Sequence, residues 1–401
     1  MTVATTSDEP YAVLISAAQT LLSATLTTPV RLSRAERLTD EDRRNVVLRC
    51  MVNDAPYGQP ASVIIKQVVS EQYHPDDTDS WDVQRFFRDW AGAQFLTMIA
   101  PQAAHGPRFY AGDRAQGFVM LEDLGTHHSL VEPLLGTDAA YAEQALGSFA
   151  RRLGQMHAAT IGAADRFEQL THAINPSQAV HVPAACLKQA NDMRTQMEQL
   201  RGLLESIGVP VAAHITTELD QICASVAHPG DFLAYVHGDP CPDNIFFSMD
   251  RLLLIDFEFG HFGHALRDAV YGRMFFPTCW CANQIPMAVV ERMEQQYRAE
   301  LLHVCPAAHD DHVFSTELVR MCGFWLIGTL GWHLAGALQE DTTWGIATIR
   351  SRLIGRLHAF LATASAYNQL PTFCALVYAL LEQLQKRWPD TAPFAVYPAF
   401  R

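Results

Sequence analysis

Short apolar runs with alternating polar positions fill the first third of the chain and predict β-strands. Residues 45–52 and 61–68 are two such runs, and a turn-rich segment containing Asn53 and Gly58 separates them. This pattern is typical of a β-hairpin. A third strand is predicted over residues 117–124, because a short apolar run lies there and Gly125 ends it.

Helical spacing of apolar residues predicts a helix over residues 81–99, at Val83, Phe86, Phe87, Trp90, Ala91 and Leu96. The apolar run over residues 12–24 predicts an amphipathic first helix. Asp8 and Glu9 precede that run, where a signal peptide would carry positive charge.

Beyond Gly125 the pattern changes and long helical periodicities dominate. They cover residues 138–160, 184–206, 211–226, 286–304, 313–338, 343–366 and 370–387. Residues 233–257 are the exception, because Pro, Gly and Asn interrupt their apolar runs as they do in loops and short strands. The sequence therefore predicts an α+β protein. A small lobe, residues 1–122, carries an antiparallel sheet and one main helix, and a large lobe, residues 123–401, is mainly helical.

Composition and charge exclude some classes of protein. The chain has 29 basic and 43 acidic residues and a formal net charge of −14, which argues against nucleic-acid binding, because that requires a basic surface. The nine cysteines include one close pair, Cys279 and Cys281, so we expect reduced, mostly buried thiols in a cytoplasmic protein. Glycines and polar residues interrupt the longest apolar stretch, residues 321–338, which favours a buried core helix over a membrane span.

Three polar residues near the ends of short apolar runs are candidates for phosphoryl-transfer chemistry. Asp239 lies on a Gly-Asp-Pro turn, from which a carboxylate can project into a cleft. Asn244 offers an uncharged oxygen and Asp256 an anionic one, and both oxygens suit Mg²⁺. A hairpin through residues 248–251 would bring Asn244 and Asp256 together. From spacing alone, the alternative that these residues only form turns and cap strands is equally open.

The segment His237-Gly-Asp-x-x-x-x-Asn244, followed by Ile255-Asp-Phe-Glu258, resembles the signature of the aminoglycoside phosphotransferase and choline kinase-like family. The resemblance implies a bilobal protein-kinase-like fold in which residues 1–122 bind the nucleotide. It implies that Asp239 is the catalytic residue, which orients the acceptor hydroxyl and takes its proton. It also implies that Asn244 and Asp256 are the Mg²⁺ ligands.

Other residues of the signature are expected to be structural. His237 belongs to the loop itself, and Asp268 resembles the residue that ties the loop to the next helix. His157, in a segment that resembles the first large-lobe helix of the family, is expected to be packed. Gly238 stands where protein kinases carry an arginine that receives an activation-loop phosphate, so a protein kinase is disfavoured.

The resemblance also predicts a donor-binding side. Lys66, on an apolar strand, resembles the lysine that binds the α- and β-phosphates. Asp89 stands where the family usually has a glutamate that orients this lysine, and its shorter side chain is a departure from the family pattern. Residues 38–45 occupy the position of the phosphate-covering loop but contain no glycine; family members often use Ser, Thr or Asn there, so Thr39 or Asn45 could contact phosphate.

Residues 120–125 resemble the family hinge between the lobes. By this resemblance Met120 lines the adenine pocket, while the backbone carbonyl of Leu121 and the backbone amide of Asp123 bind the purine edge. An extended strand presents such groups along one side.

The acceptor is the part of the reaction that the sequence leaves open. In the family, large-lobe helices build the acceptor pocket, so residues 165–230 and 275–401 are expected to set specificity. Core packing is the expected role of Trp325 and Trp332, and His261 and His264 are expected to be loop residues without a role. Glu340, Asp341 and Trp344 could bind an amine or polyol, or could simply form a solvated helix end.

The sequence therefore predicts an ATP- or GTP-dependent, Mg²⁺-requiring kinase that phosphorylates a hydroxyl of a small molecule, without nucleic-acid or membrane partners. The acceptor would be an aminoglycoside, an amino alcohol or a sugar-like metabolite. The alternative is a regulatory nucleotide-binding protein of the same fold with little turnover, which the departures at Asp89 and in residues 38–45 would favour.

Overall fold

The computed structural model describes residues 9–40, 45–54, 56–69, 73–125, 128–212, 215–248 and 251–401. The chain divides into two compact units. The first contains Met1–His127, Asp165–Val180 and Ser248–Gly260, and the second contains His128–Ala164, His181–Phe247 and His261–Arg401. Two later segments thus join the first unit, and the sequence-predicted boundary at residue 122 stays a prediction.

A five-stranded antiparallel sheet forms the centre of the first unit. In chain order its strands are β1 (Arg31–Arg37), β2 (Asn45–Asn53), β3 (Ser62–Val68), β4 (Phe109–Asp113) and β5 (Phe118–Glu122). Their spatial order is β1-β2-β3-β5-β4. The predicted hairpin is confirmed, because β2 and β3 pair from Asn45↔Val68 to Met51↔Ser62.

One helix packs on each face of this sheet. Helix α1 (Ala12–Thr25) buries Leu14, Ala18 and Leu22 against β-strand residues such as Ile65. Helix α2 (Trp81–Ile99) begins at Ser80, whose side chain accepts a hydrogen bond from the Val83 amide. Both helices confirm the sequence prediction, and α2 has the predicted bounds.

Successive residues of a strand point to opposite faces of the sheet, and this alternation places the lysine of β3. Ile65 packs in the core on the α1 side, so the next residue, Lys66, emerges on the side where α2 lies. The first unit is completed by α5 (Ala164–Ile174), whose Phe167 packs edge-on against Phe95 of α2, and by the short strand β9 (Arg251–Leu254).

The second unit is mainly helical, as predicted. Its longer helices are α4 (Ala139–Thr160), α6 (Val182–Ser206), α7 (Ile215–Ala227), α9 (Met287–Leu301), α10 (Asp311–Gln339), α11 (Ile349–Ala366) and α12 (Pro371–Arg387). Two short helices, α3 (Val131–Leu135) and α8 (Leu266–Ala269), complete the set among the described residues. Helices α4 and α9 approach closely at Gly154, where a Cβ atom would lie 2.7 Å from the carbonyl oxygen of Tyr297.

Short strands interrupt these helices. They are β6 (His128–Ser129), β7 (Leu233–Val236), β8 (Ile245–Ser248), β10 (His261–His264), β11 (Thr343–Trp344) and β12 (Ala347–Thr348). β7 pairs with β10, and β6 pairs with β8. The predicted turn through residues 248–251 includes positions 249 and 250, which lie outside the described residues.

The predicted helix over residues 343–366 is wrong at its start. Residues 343–348 form the hairpin of β11 and β12, and Gly345 has a φ of +61°. The helix begins only at Ile349, because Thr348 adopts an extended conformation and its side chain accepts a hydrogen bond from the Ser351 amide.

Helix α10 is long and apolar enough to cross a bilayer by length and composition alone. Its most apolar window is 67% buried within the protein, and Trp325 and Thr329 are buried on it. This burial agrees with the core helix that the sequence predicts.

Candidate active site

The residues predicted to form one site fall in both compact units. In the first unit Lys66 is surrounded by three carboxylates. Its Nζ atom lies 2.8 Å from Asp89 Oδ2 and 3.5 Å from Glu258 Oε1, and it forms a short ion pair with Asp256. The shorter side chain of Asp89 is therefore no obstacle to pairing with this lysine.

The protonation of Lys66 follows from this surrounding. Burial by itself lowers the pKa of the lysine, but the negative charges of Asp256, Asp89 and Glu258 more than offset that effect and raise the pKa well above its usual value. Lys66 is consequently a permanent cation at neutral pH.

Asp89 and Glu258 are fixed by further contacts. Asp89 Oδ1 accepts a hydrogen bond of 2.9 Å from the Phe257 amide. Glu258 forms a short ion pair with Arg85 and accepts a hydrogen bond of 3.3 Å from Asn45 Nδ2. Sequence reasoning missed the contacts of Arg85 and Glu258 with this cluster, although Glu258 is part of the quoted motif.

Asp256 differs from its two neighbours in exposure and backbone shape. Its side chain is 44% exposed, whereas those of Asp89 and Glu258 are 6% and 7% exposed. Its φ of +63° lies in the left-handed region, which costs a non-glycine residue about 1–3 kcal/mol and is frequent at functional sites. The accessible carboxylate of the cluster is thus the one predicted to bind a cation.

The charge balance of this cluster fits a divalent cation. Three carboxylates face one lysine and one arginine, so a net negative charge remains, and all the available donor atoms are oxygens. Mg²⁺ prefers oxygen ligands. Asp256 is the member of the set with accessible oxygens.

The predicted hinge residues lie on β5 and just after it. Met120 is fully buried in the core of the sheet, and Leu121 pairs with Ile64 of β3. The Asp123 side chain accepts hydrogen bonds from Arg49 Nε at 2.8 Å and from Ser62 Oγ at 2.7 Å. Their roles in purine binding stay predictions.

The predicted phosphate-covering loop is described only in part, since residues 41–44 lie outside the described residues. The Thr39 hydroxyl donates to the Asn45 carbonyl at 3.0 Å and accepts from the Val47 amide at 3.2 Å, so it closes the base of the loop. The Asn45 side chain contacts Glu258, as described above. Phosphate contact by either residue stays a prediction.

In the second unit Asp239 follows β7 directly, as the sequence predicts. One of its oxygens, Oδ1, accepts hydrogen bonds from Tyr271 Oη at 2.8 Å and from Cys241 Sγ at 3.1 Å, and a short one from Thr278 Oγ1. Among the residues that the structure describes, none donates to the other oxygen, Oδ2. The carboxylate is therefore held at one oxygen and open at the other.

The partners Tyr271 and Thr278 were missed by sequence reasoning. Burial, together with the nearby groups of Cys241 and Asp239, raises the pKa of Tyr271 well above its usual value, so its hydroxyl stays a donor. Both residues follow Asp239 by more than thirty positions, and no local pattern connects them to it.

Asn244 lies at the end of a single 3₁₀ turn, Pro242–Asn244. Its Nδ2 atom donates to the Asp239 carbonyl at 3.0 Å, which fixes the side chain against the loop. No donor to its Oδ1 atom is found in the described part of the chain, so this oxygen suits a hard cation. The residue has the chemistry predicted for it, and the role stays a prediction.

Asp268 anchors the loop that carries Asp239, as the sequence predicts. Its carboxylate is fully buried and accepts hydrogen bonds from the His237 amide at 2.6 Å and from the Gly238 amide at 3.2 Å. Burial would raise the pKa of Asp268, but the nearby His157 side chain and Arg267 lower it below its usual value. Gly238 has a φ of +79°, which glycine adopts without strain and arginine does not.

The histidines of this region are structural. His237 is fully buried, and its Nδ1 atom accepts a hydrogen bond from the Asp239 amide. His157 is fully buried and contacts Tyr297 Oη at 2.7 Å. His264 is buried and pairs with Glu317 at 3.2 Å. His264 thus has a packing role that the sequence analysis did not assign.

A cleft of about 410 Å³ lies between α6 and α10 in the second unit. Its lining includes Gln189, Asp192, Thr195, Gln196, Gln199, Arg267, Phe324 and Trp332. The expected core role is confirmed for Trp325, which is 1% exposed, and is wrong for Trp332, which is 55% exposed. Gln196 of α6 packs closely against Gly331 of α10, where a Cβ atom would lie 2.1 Å from the Gln196 Nε2 atom.

The predicted amine-binding group at residues 340–344 is already occupied by the protein itself. The Arg352 guanidinium lies 4.7 Å from the Trp344 ring centre, and Asp341 accepts a hydrogen bond from the Arg350 amide. An internal cation thus takes the position that an amine ligand would need.

The model of the phosphotransferase enzyme family matches residues 73–303, more than half of the chain. Among curated proteins, no sequence matches the chain.

Solved structures resemble the chain in fold. A choline kinase from Cryptosporidium parvum Iowa II is 14% identical, with 87% of this chain and 93% of that chain covered and a TM-score of 0.50. A choline/ethanolamine kinase family protein from Mesorhizobium loti is 15% identical, with 92% and 99% covered and a TM-score of 0.42. A macrolide 2'-phosphotransferase from Brachybacterium faecium is 15% identical, with 80% and 93% covered and a TM-score of 0.39. The predicted protein-kinase-like fold is confirmed.

Proposed function

We propose that this chain, which belongs to the phosphotransferase enzyme family and is a small-molecule kinase, transfers a phosphoryl group from a purine nucleotide to a hydroxyl of a polyhydroxylated acceptor. The observation that carries the proposal is the Asp239 carboxylate, held at Oδ1 by three donors and open at Oδ2. A carboxylate in this state can accept the hydrogen of an acceptor hydroxyl. Phosphoryl transfer needs such positioning more than it needs a strong base.

On the donor side, Lys66 supplies a fixed positive charge for the nucleotide phosphates. Asp89 positions the lysine through the ion pair of 2.8 Å. Met120, Leu121 and Asp123 are proposed to border the purine, with the Leu121 carbonyl and the Asp123 amide as its hydrogen-bond partners. ATP and GTP are both compatible with backbone recognition of this kind.

Asp256 and Asn244 are proposed to bind Mg²⁺. Both present oxygen atoms, and Asp256 belongs to a cluster with excess negative charge. When bound, the ion would neutralise charge on the transferring phosphoryl group.

The acceptor is proposed to occupy the cleft between α6 and α10. Glutamine amides and a threonine hydroxyl both donate and accept hydrogen bonds, and this suits an acceptor with several hydroxyls. Trp332 and Phe324 add apolar surface of the kind that packs against a sugar ring. Arg267 borders the cleft and is followed by Asp268, which binds the loop of Asp239.

Amine recognition is less favoured in this cleft. Its acidic residue, Asp192, already pairs with Lys188 at 2.7 Å. We therefore favour a sugar-like acceptor over an amino alcohol. We propose, as a separate point, that the enzyme is cytoplasmic.

A nucleotide-turnover assay tests the proposal. The purified chain is incubated with ATP or GTP, Mg²⁺ and a panel of sugars, polyols, aminoglycosides and amino alcohols. We expect acceptor-dependent turnover in the wild type, and a loss of about 100-fold or more in Asp239→Asn with nucleotide binding retained. Asp220→Asn is the control, because Asp220 is a surface residue paired with Arg194.

Two outcomes would contradict the proposal. Turnover that is equal in Asp239→Asn and in the wild type would remove Asp239 from the reaction. Nucleotide binding without turnover across the whole panel would favour the regulatory alternative. Of the two departures that support that alternative, the one at Asp89 is weakened by the ion pair between Asp89 and Lys66.

A further inference from the structure

Three thiols and a carboxylate meet in the second unit beside the Asp239 loop, and one of the thiols, Cys241, also donates to Asp239 Oδ1. The ligand atoms of Cys241, Asp243 and Cys279 all lie within 4.8 Å of one another. Cys281 Sγ lies 3.1 Å from Cys279 Sγ, and both thiols are unbridged. The cysteines are buried and Asp243 is half-buried.

The spacing of these atoms is close to that of a metal site. With zinc–sulfur bonds of about 2.3 Å, two thiolates on a tetrahedral ion lie about 3.8 Å apart, and a sulfur and a carboxylate oxygen about 3.6 Å. Cys279 Sγ and Asp243 Oδ1 are 3.9 Å apart here. No two of the three ligand atoms are more than 4.8 Å apart, which is about 1 Å beyond the spacing on such an ion.

The ligands are held by surrounding groups. Trp280 Nε1 donates to Asp243 Oδ2 at 2.9 Å, which leaves Oδ1 directed at Cys279. Arg352 donates to the carbonyls of Cys279 and Trp280, each at 2.7 Å, and so fixes the backbone that carries the thiols. Such outer contacts orient the ligands in metal sites.

A second, independent observation concerns charge. Arg352 and Arg356 are 1% and 0% exposed, and within the described residues neither forms an ion pair with a carboxylate. Nη1 and Nη2 of Arg356 are buried without a hydrogen-bond partner in the described part of the chain. Burial lowers the pKa of Arg356 to about 9, which still leaves it charged at neutral pH.

Arg352 contacts the thiol cluster directly, because its Nη1 atom donates to the Cys279 carbonyl. Buried charges are normally paired. A divalent ion bound by two thiolates and one carboxylate has a net charge of −1, so it would supply an anionic partner to the arginines.

We propose that Cys241, Asp243 and Cys279 bind one thiophilic divalent cation of the Zn²⁺ class. The preference follows from the sulfur ligands, because Mg²⁺ and Ca²⁺ take oxygen ligands while thiolates select zinc-class ions. The half-buried Asp243 and the partly exposed Trp280 mark the route by which the ion enters. This site differs from the proposed Mg²⁺ site in residues and in chemistry, and its existence does not depend on the proposed function.

The test is a titration of the metal-stripped, reduced full chain with Cd²⁺ in the presence of excess Mg²⁺, without nucleotide or acceptor. The readout is the ultraviolet charge-transfer absorption of cadmium thiolates. Competition by Zn²⁺ then gives the affinity of the site for Zn²⁺. We expect one ion per wild-type chain, and an affinity lower by about 100-fold or more in Cys279→Ser and in Asp243→Asn. Cys374→Ser is the control, because Cys374 is the most exposed of the nine cysteines and would bind adventitious metal first.

Asp243→Asn keeps the shape of the side chain and can still accept from Trp280, so it tests the site even if Cys279→Ser folds poorly. Far-ultraviolet circular dichroism before titration verifies the fold of each variant. Binding in both variants with wild-type affinity would overturn the proposal, as would loss of the signal in Cys374→Ser or the absence of a thiolate band in the wild type.

Discussion

Replacing Asp268 by asparagine should destabilise the second unit by about 3 kcal/mol. The buried carboxylate accepts at Oδ2 from the His237 amide at 2.6 Å, and the Gly238 amide lies 3.2 Å from Oδ1 and 3.4 Å from Oδ2. Asparagine offers one oxygen, so one buried N–H would face an amide group that also donates. Losing a hydrogen bond to a charged group costs about 1.5–3 kcal/mol, and an unsatisfied buried donor costs about 1–3 kcal/mol.

Two effects limit this cost. Asparagine removes the penalty of burying a charge, and the loop can relax around the new side chain, so the net value lies below the sum. In domains of about 150–250 residues, 1 kcal/mol shifts the melting temperature by about 2–4 °C. We therefore expect the melting transition of the second unit to fall by about 6–12 °C.

Differential scanning calorimetry of the purified wild type and of Asp268→Asn measures this shift. Asp220→Asn is the matched control, because that carboxylate is 66% exposed and its pair with Arg194 is worth about 0–1 kcal/mol. If Asp268→Asn lowered the melting temperature no more than Asp220→Asn does, the anchoring role assigned to Asp268 would be refuted.

Four further substitutions test other parts of the structure. Asp89→Asn should lower turnover about 100-fold because the Lys66 ammonium loses its positioning partner, and kcat measured at saturating nucleotide checks this. Trp325→Ala should cost about 3–5 kcal/mol, since the indole is 1% exposed, whereas Trp332→Ala should leave the melting temperature nearly unchanged and raise the acceptor KM. Burial would raise the pKa of Glu317, but the His264 side chain lowers it to about 2, so Glu317 contributes stability above pH 4.5 that is lost as the pH falls toward 2. Denaturant titrations of Glu317→Gln should therefore show a flatter loss of stability across that range, and an unchanged pH profile would contradict the pairing.

The sequence alone determined the elements and the kind of chemistry. Helix α2 and the hairpin of β2 and β3 were predictable because their apolar periodicity is local and their turns contain the residues that turns require. Lys66 and Asp239 were identifiable from short motifs, and Asp89 from the alignment of its helix with the family pattern. The α+β class followed from the change in periodicity after Gly125.

Turns with weak local signals were harder to place. Residues 343–348 adjoin a strongly helical segment, so the sequence pattern predicts helix there. The hairpin is settled by Gly345 and by the hydrogen bond from the Ile346 amide to the Trp280 carbonyl. A contact of this kind with a distant residue has no trace in a window of ten residues.

Only the tertiary structure decided which side chains surround the motif residues. It brings Arg85 and Glu258 into the Lys66 cluster, and it places Tyr271 and Thr278 on the carboxylate of Asp239. It also gathers Cys241, Asp243 and Cys279, which are up to 38 positions apart, around one point. Local periodicity reports how a residue relates to its own element, whereas these contacts depend on how separate elements pack, and that is fixed by the burial of the whole core.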